Sequence, residues 1–481
     1  MPGVTVTTQT RTGPATPNLA PSGQVFMAGM AERGSVTSPV LVRGIADFEA
    51  TFGARTTYSH LYDNVATFFE EGGAQAWIAR VVGGSATTGT LTLDDRAGSP
   101  VDTVKIDANS PGAWSDDVDI VIEDGTGAVV NLSVVLGTET VETFSASTVA
   151  DLVAAVNAGS SYVVATNLGS ATVAPNNMPA EGTFHLSAGT DDRASIDADD
   201  YASALDLFDP SLGDGAVAIP GVGSTVHGAL IAHCQGNQRR IALLSASETA
   251  TVSDLTTAAD SLNSEYAGLF APWVQISTAT GGTRFTSPEG YVAAARNRAH
   301  TVAGPWRVPA GQNSVARSLV GLKYDYTRAE GDALDAAKVN AIRVVQNTIR
   351  LYGWRSLSDD TANYALLNGR DLLNYLVVRS EASLEQFVFD QIDGKGHLLA
   401  QIGGVLVGLL EPIRASGGVY ERYDASGAFV DPGYLVETGT TVNTLENLAN
   451  NEVKARISVR VSPSAALIST TIVKVGLLSN L

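Results

Sequence analysis

Residues 215–245 read GAVAIPGVGSTVHGALIAHCQGNQRRIALLS. An apolar run, Gly215–Pro220, ends at a glycine turn. A stretch of helical pattern follows from about Ser224 to Gln235, and a second apolar run, Arg240–Ser245, closes the segment. Two short strands joined by a helix predict a βαβ unit. The alternation continues with a helix across Val252–Tyr266, a strand Trp273–Ser277 and a helix from Pro288 to about His300. Upstream lie a strand Gln24–Ala31 and a helix from Tyr58 to about Glu71, with Leu61, Val65, Phe68 and Phe69 at helical spacing. Gly72-Gly73 stops that helix, and the strand Ala76–Val82 follows. The expectation is a multidomain α+β or α/β chain whose α/β core carries a parallel or mixed sheet.

From Gly84 onward the texture changes to Thr, Val, Ser and Asp, with alternating runs such as Val118–Glu123 and Val129–Leu136 and one helical stretch, Thr148–Asn157. That pattern predicts a mostly-β inserted domain over 84–190. Thr327-Arg328-Ala329-Glu330 reads as a capping box for a long helix with Leu334, Ala337, Ala341, Val345 and Ile349 as its apolar stripe. Further helices are expected over Asn368–Glu385 and 397–410. Val453, Ala455, Ile457, Val459 and Val461 alternate with Lys454, Arg456, Ser458 and Arg460, a half-buried strand with a basic face. The ends differ from the body. Residues 1–22, with Gly13, Pro14, Pro17 and Pro21, read as an extended arm holding the short alternating run Val4–Thr5–Val6, and 466–481 as a second arm containing the strand Leu467–Val475. The body then divides into 23–83, 84–190, an α/β part 191–325 and an α+β part 326–465.

The 481 residues carry 30 Lys+Arg against 50 Asp+Glu, a net charge of −20. Phosphate and anionic-lipid binders need clustered cations, so those classes are disfavoured. The charge is uneven: 84–190 holds thirteen acids against Arg96 and Lys105, and 191–283 holds twelve against Arg193, Arg239 and Arg240, whereas 284–481 holds nineteen acids and twenty bases. The acidic middle should stay solvated, and the balanced end can pair with copies of itself. Cys234 is the one cysteine, which excludes an internal disulfide and a multi-thiolate metal site. The start shows no basic and apolar leader pattern, and the longest apolar run, Leu398 to Leu410, falls short of about 20 residues. A soluble protein made in the cytoplasm is expected.

Motifs for chemistry are weak. His227, His233 and Cys234 are close in sequence, but an i/i+6 pair on a helix lies about 120° out of alignment, so no metal site is assigned. Gly221-Val222-Gly223 follows a strand and precedes a helix, yet the third glycine of a dinucleotide loop would fall on Val226. Gly394-Lys395-Gly396 lacks the rest of a phosphate loop. The acid pairs Asp116-Asp117, Asp191-Asp192 and Asp199-Asp200 sit in turn-rich sequence and read as helix caps or solvated loops. No catalytic residue, cofactor or metal ligand is assigned.

Pro2-Gly3-Val4, Pro39-Val40-Leu41-Val42, Phe48 with Phe52-Gly53, and the run from Phe68-Phe69-Glu70-Glu71-Gly72-Gly73 to Trp77-Ile78-Ala79-Arg80-Val81 together resemble the amino-terminal signature of contractile-tail sheath proteins. That family serves myophage tails, R-type bacteriocins and bacterial contractile injection systems. Ser110-Pro111-Gly112-Ala113-Trp114-Ser115 and Ser160-Ser161-Tyr162-Val163 look like its β domain. Val339-Asn340-Ala341-Ile342-Arg343, Tyr352-Gly353-Trp354-Arg355-Ser356-Leu357-Ser358 and Val442-Asn443-Thr444 then follow in the family's order. The chain departs from the pattern over 165–185 and at Asn368-Gly369-Arg370.

The resemblance implies a structural subunit, not an enzyme. Such a subunit assembles in the cytoplasm of the producing bacterium into stacked hexameric rings, as part of a phage virion tail or a tail-like particle. Its partners would be copies of itself, an inner tube protein, and baseplate and terminator or cap proteins, with no direct contact to nucleic acid and no membrane insertion. Arms at both ends would add strands to neighbouring sheets, which makes Val4, Val6, Ile468, Thr470, Ile472, Val473 and Val475 the candidate arm-strand residues. Lys454, Arg456 and Arg460 are the candidate basic face. The alternatives are another self-assembling structural protein, or an α/β nucleotide-binding enzyme using the Gly221–Gly223 loop.

Overall fold

A computed structural model describes residues 23–278, 280–465 and Lys474. Its centre is an eight-stranded sheet in the spatial order Thr348–Leu351, Val339–Val345, Ala267–Ala271, Arg240–Ser245, Gly215–Ala218, Gln24–Gly29, Ala76–Arg80, Val40–Val42. The six inner strands are parallel, and the two edge strands are antiparallel to their neighbours. From Gln24 the chain therefore enters the sheet in its interior, builds outward to one side, then returns and builds to the other.

Every residue of Gln24–Gly29, Gly215–Ala218, Arg240–Ser245 and Ala267–Ala271 is buried, as expected of parallel strands covered on both faces. Side chains alternate between two apolar layers. Phe26, Ala28, Val217, Ala242, Leu244 and Leu269 meet the helices Ala198–Asp206, His227–Asn237, Val252–Asp260 and Arg328–Ala336. Val25, Met27, Ala216, Ile241, Leu243 and Phe270 meet Ile45–Phe52, Leu61–Glu70 and Glu289–Ala303.

Two expectations are corrected here. The helix over Val252–Tyr266 stops at Asp260, and Ala267–Ala271 is a strand in the middle of the sheet. Ser264 ends the turn locally, its hydroxyl accepting from the Tyr266 amide. The Thr327–Glu330 capping box is real, with the Glu330 amide on Thr327 Oγ1 at 3.3 Å and the Thr327 amide on Glu330 Oε2 at 2.8 Å. Its helix, however, ends at Ala336, and Val339–Val345 and Thr348–Leu351 form a hairpin. Gln346 and Asn347 both have positive φ, as a two-residue hairpin turn of mirror-image type requires, and the β-branched run fits the sheet better than a helix.

Between Arg80 and Gly215 the chain leaves the sheet. Gly182–His185, Val118–Asp124, Val130–Leu136 and Glu139–Ala146 make one antiparallel sheet, and Thr90–Asp94, Asp102–Ala108 and Val163–Asn167 another. With the helix Val149–Gly159 they enclose a separate core that includes Leu93, Ile106, Trp114, Ile120, Leu132 and Val156. Val118, Ile120 and Ile122 point inward, whereas Asp119 is half-buried and Glu123 and Asp124 are exposed. Part of the acidic excess of 84–190 is thus carried on the outer face of a one-sided sheet.

The last part packs Leu367–Leu384 against His397–Ala415, and lays the two-stranded sheet Tyr434–Glu437 with Arg456–Val459 on the second helix. At 19 residues and mean hydropathy 1.4, His397–Ala415 is long and apolar enough by length and composition to cross a membrane, which the run 398–410 alone is not. Leu398, Ile402, Leu406, Leu410 and Ile413 form its buried stripe.

Candidate assembly surfaces

The sheet of Tyr434–Glu437 and Arg456–Val459 has the features of a strand acceptor. Tyr434, Val436, Ile457 and Val459 turn toward the helix, while Leu435, Arg456 and Ser458 face outward. It has only these two strands among the described residues, and a two-stranded sheet is marginal by itself and leaves edge amides and carbonyls open to a further strand. Asn443 ties its two strands together at the Glu437–Arg456 end. Buried at 2% exposure, it donates to Thr438 O (2.8 Å) and Lys454 O (2.7 Å) and accepts from the Lys454 amide (2.7 Å).

Exposed apolar groups collect around this sheet. Tyr420, Tyr423, Phe429, Val430 and Leu435 are each half exposed, Tyr423 and Phe429 are stacked edge to face, and Leu445 is largely exposed. Phe389, in the link between the two helices, is fully exposed and holds φ at +70°, a conformation costly for an aromatic residue.

Lys454, Arg456 and Arg460 of the expected basic face are each paired with an acid. Arg456 lies opposite Glu437 in the strand register and 3.8 Å from its carboxylate; Arg460 reaches Asp431 at 2.9 Å; Lys454, just before the strand, reaches Glu452 at 3.0 Å. These exposed pairs contribute little stability, but they leave no free positive stripe. Val4, Val6, Ile468, Thr470, Ile472, Val473 and Val475 lie outside the described residues.

A second structure, at the root of 84–190, was legible only as part of a motif. Arg80, the last residue of its strand, is buried and donates to the carbonyls of Ala31 (3.0 Å), Glu32 (3.0 Å), Gly34 (3.2 Å) and Pro111 (2.6 Å) and to Asp191 Oδ1 (2.6 Å). The Gly83 amide donates to Asp191 O at 2.9 Å. One guanidinium therefore joins the core to both ends of the excursion.

The features suggestive of chemistry are engaged structurally. Gly221 packs on His60, where a Cβ would come within 2.6 Å of the ring. Its amide points at Glu289 Oε1 (3.4 Å), which also accepts from Ser245 Oγ (2.5 Å). A loop facing a buried carboxyl is a poor phosphate cradle, and burial raises that carboxyl above the ordinary range. His227 contacts Ser245 O at 2.9 Å, and His233 Nε2 accepts from Arg240 and Asn237, both at 3.0 Å. Burial, then the Arg240 charge, lowers His233 to about 4. Cys234 is fully buried, which pushes its thiol up. Among the described residues no three His, Cys, Asp or Glu side chains converge for a metal.

The fold is that of contractile sheath proteins. The sheath tail protein of Listeria innocua superposes with a TM-score of 0.62 at 13% identity over 89% of this chain and 90% of its own. That of Desulfitobacterium hafniense gives 0.58 at 15% over 91% and 93%. The helical sheath of the anti-feeding prophage in its contracted state gives 0.58 at 10% over 98% and 99%. No protein-family model matches the sequence, and no curated protein does.

Proposed function

We propose that this chain is the structural subunit of a contractile sheath, polymerising as helically stacked hexameric rings around an inner tube and shortening to drive that tube through a target envelope. The observation that carries the reading is the likeness of fold along nearly the whole chain to sheath proteins, including one in a contracted sheath. In this reading residues 1–22 and 466–481 are the linking arms, the acidic 84–190 domain lies outermost, and 23–83, 191–325 and 326–465 form the body.

The arms add strands to a neighbour's Tyr434–Glu437 and Arg456–Val459 sheet, so backbone hydrogen bonds join subunits while the bodies rotate and slide between two packings. Work comes from new contacts between bodies, which needs no catalytic residue. A tube protein, a baseplate and terminal cap proteins are the partners. The particle, a phage tail or a tail-like injector, assembles in the bacterial cytoplasm.

Negative-stain electron microscopy of the purified chain tests this directly. Hollow helical tubes are expected. Closed shells or flat lattices would favour another self-assembling structural protein, and a monomer at all concentrations would overturn the proposal.

A further inference from the structure

Gly23 is the residue through which residues 1–22 join the body. It holds φ at +75°, and its amide donates to Asp214 Oδ2 at 3.2 Å while its carbonyl accepts from Asn297 Nδ2 at 3.1 Å. The next amide, Gln24, donates to Asp214 O at 2.9 Å, and the Gln24 side chain accepts from Gln75 Nε2 at 2.8 Å. The attachment is thus held by the turn before Gly215–Ala218 and by the helix Glu289–Ala303.

From Gly23 the chain enters Gln24–Gly29, an inner strand with parallel partners on both sides: Gln24–Met27 against Gly215–Ala218, and Phe26–Gly29 against Trp77–Arg80. Tension on residues 1–22 along that strand must shear two ladders of backbone hydrogen bonds together. Attached to an edge strand such as Val40–Val42, the same tension would open one ladder.

The left-handed turn, and not crowding, explains the glycine. A Cβ there would have its nearest contact at 3.8 Å, on His300, but only glycine, or at some cost asparagine, adopts that φ readily.

We propose that Gly23 is the fixed turn that anchors the amino-terminal arm, with Asp214 and Asn297 as the positioning residues that clamp it to a strand able to bear the load of contraction. This rests on the sheath reading. The test uses the full chain carrying Gly23→Val, Gly23→Asn or Asn297→Ala, with Gly84→Ala as the control at an open position.

Gly23→Val should keep the melting midpoint within a few degrees yet shorten tubes about tenfold or more, and Gly23→Asn should restore them in part. Tubes of unchanged length and number in Gly23→Val would overturn the role of this turn as the anchor. Hydrogen exchange on the unassembled chain reads the clamp without tubes. The Gly23 and Gln24 amides should be protected, and Asn297→Ala, by freeing the Gly23 carbonyl, should speed the Gln24 amide of the same peptide unit at least about tenfold. Unprotected amides in the wild type would overturn the clamp even if tubes form. If the wild type forms no tubes, the sheath reading fails, while protected amides that Asn297→Ala releases would still uphold the clamp.

Discussion

Arg80 Nη2 lies 2.6 Å from Asp191 Oδ1, joining residues 111 apart in sequence. Both side chains are buried, and the guanidinium spends its remaining protons on four backbone carbonyls. Arg80→Met should leave the buried Asp191 carboxylate with only the longer contacts to Arg193 (3.7 Å) and the Ala113 amide (3.5 Å), at a cost of about 3 kcal/mol. Arg80→Lys should rescue little, because an ammonium cannot reproduce the planar fork. Urea unfolding followed by tryptophan fluorescence measures both. A lysine variant as stable as the wild type would mean that charge, not the fork, holds this root.

Four-residue spacing explains the largest misreading. Ala337, Ala341, Val345 and Ile349 repeat every fourth position, as one face of a helix does, but residues four apart also share a face of a strand, as Ala341 and Val345 do here, while Ala337 caps the helix and Ile349 sits on the next strand in the other apolar layer. The capping box at Thr327 tipped the reading toward helix. Lys338 and the Gln346-Asn347 pair, all at positive φ, carry no composition signal as strong as glycine would. Ala267–Ala271 holds no β-branched residue, so only its burial between two strands marks it as a strand. Strands of 84–190 were readable because one of their faces meets water. At the candidate surface, the cations of 454–460 were visible, but Asp431 lies 29 residues from Arg460 in sequence and only the fold brings them together.

Asn443 ties the two strands of the acceptor sheet together at their Glu437–Arg456 end, so Asn443→Ala should remove its hydrogen bonds to the backbone of Thr438 and Lys454 at about 1 kcal/mol each. The loss should stay local. Hydrogen exchange is expected to quicken over Tyr434–Glu437 and Arg456–Val459 while the central strands keep their protection, and tube formation should fail. Normal exchange and normal tubes would remove this sheet from the assembly scheme.

Phe389 separates stability from assembly. With φ at +70° and its ring fully in solvent, it strains the isolated chain by about 1 kcal/mol. Phe389→Gly should leave the monomer as stable or more so, yet raise the concentration needed for tubes. Sedimentation across a dilution series reads that threshold; an unchanged threshold would show that the ring contacts nothing in the assembly.

His233 gives the acid limb of stability a distinct contribution. Its folded value of about 4 lies below its ordinary 6.5, so the unfolded chain takes up the proton first. The stability it contributes is fully present above about pH 6.5 and is lost as pH falls toward 4, by up to about 3 kcal/mol. His233→Gln keeps an acceptor for Arg240 and cannot titrate. Its unfolding free energy should therefore fall less steeply than that of the wild type between pH 6.5 and 4, with parallel slopes as the contrary result.

Excision of residues 84–190 tests the outermost position assigned to that segment. Its ends lie side by side: the Gly83 amide donates to Asp191 O at 2.9 Å, the Ser85 amide to Asp192 Oδ2 at 3.0 Å, and Thr87 and Thr190 exchange backbone hydrogen bonds, so a short glycine bridge from Gly83 to Asp191 can close the gap without moving Arg80 or Asp191. Of the five Arg80 acceptors only Pro111 O is lost. The segment has its own core, so the central sheet keeps both apolar layers. The excised chain should fold, and microscopy should find tubes of smaller outer diameter. With the thirteen acids of the segment removed, those tubes should also bundle sideways at salt concentrations where wild-type tubes stay apart, because like charge on the outer layer no longer separates them. A folded, monomeric product would mean that 84–190 takes part in contacts between subunits.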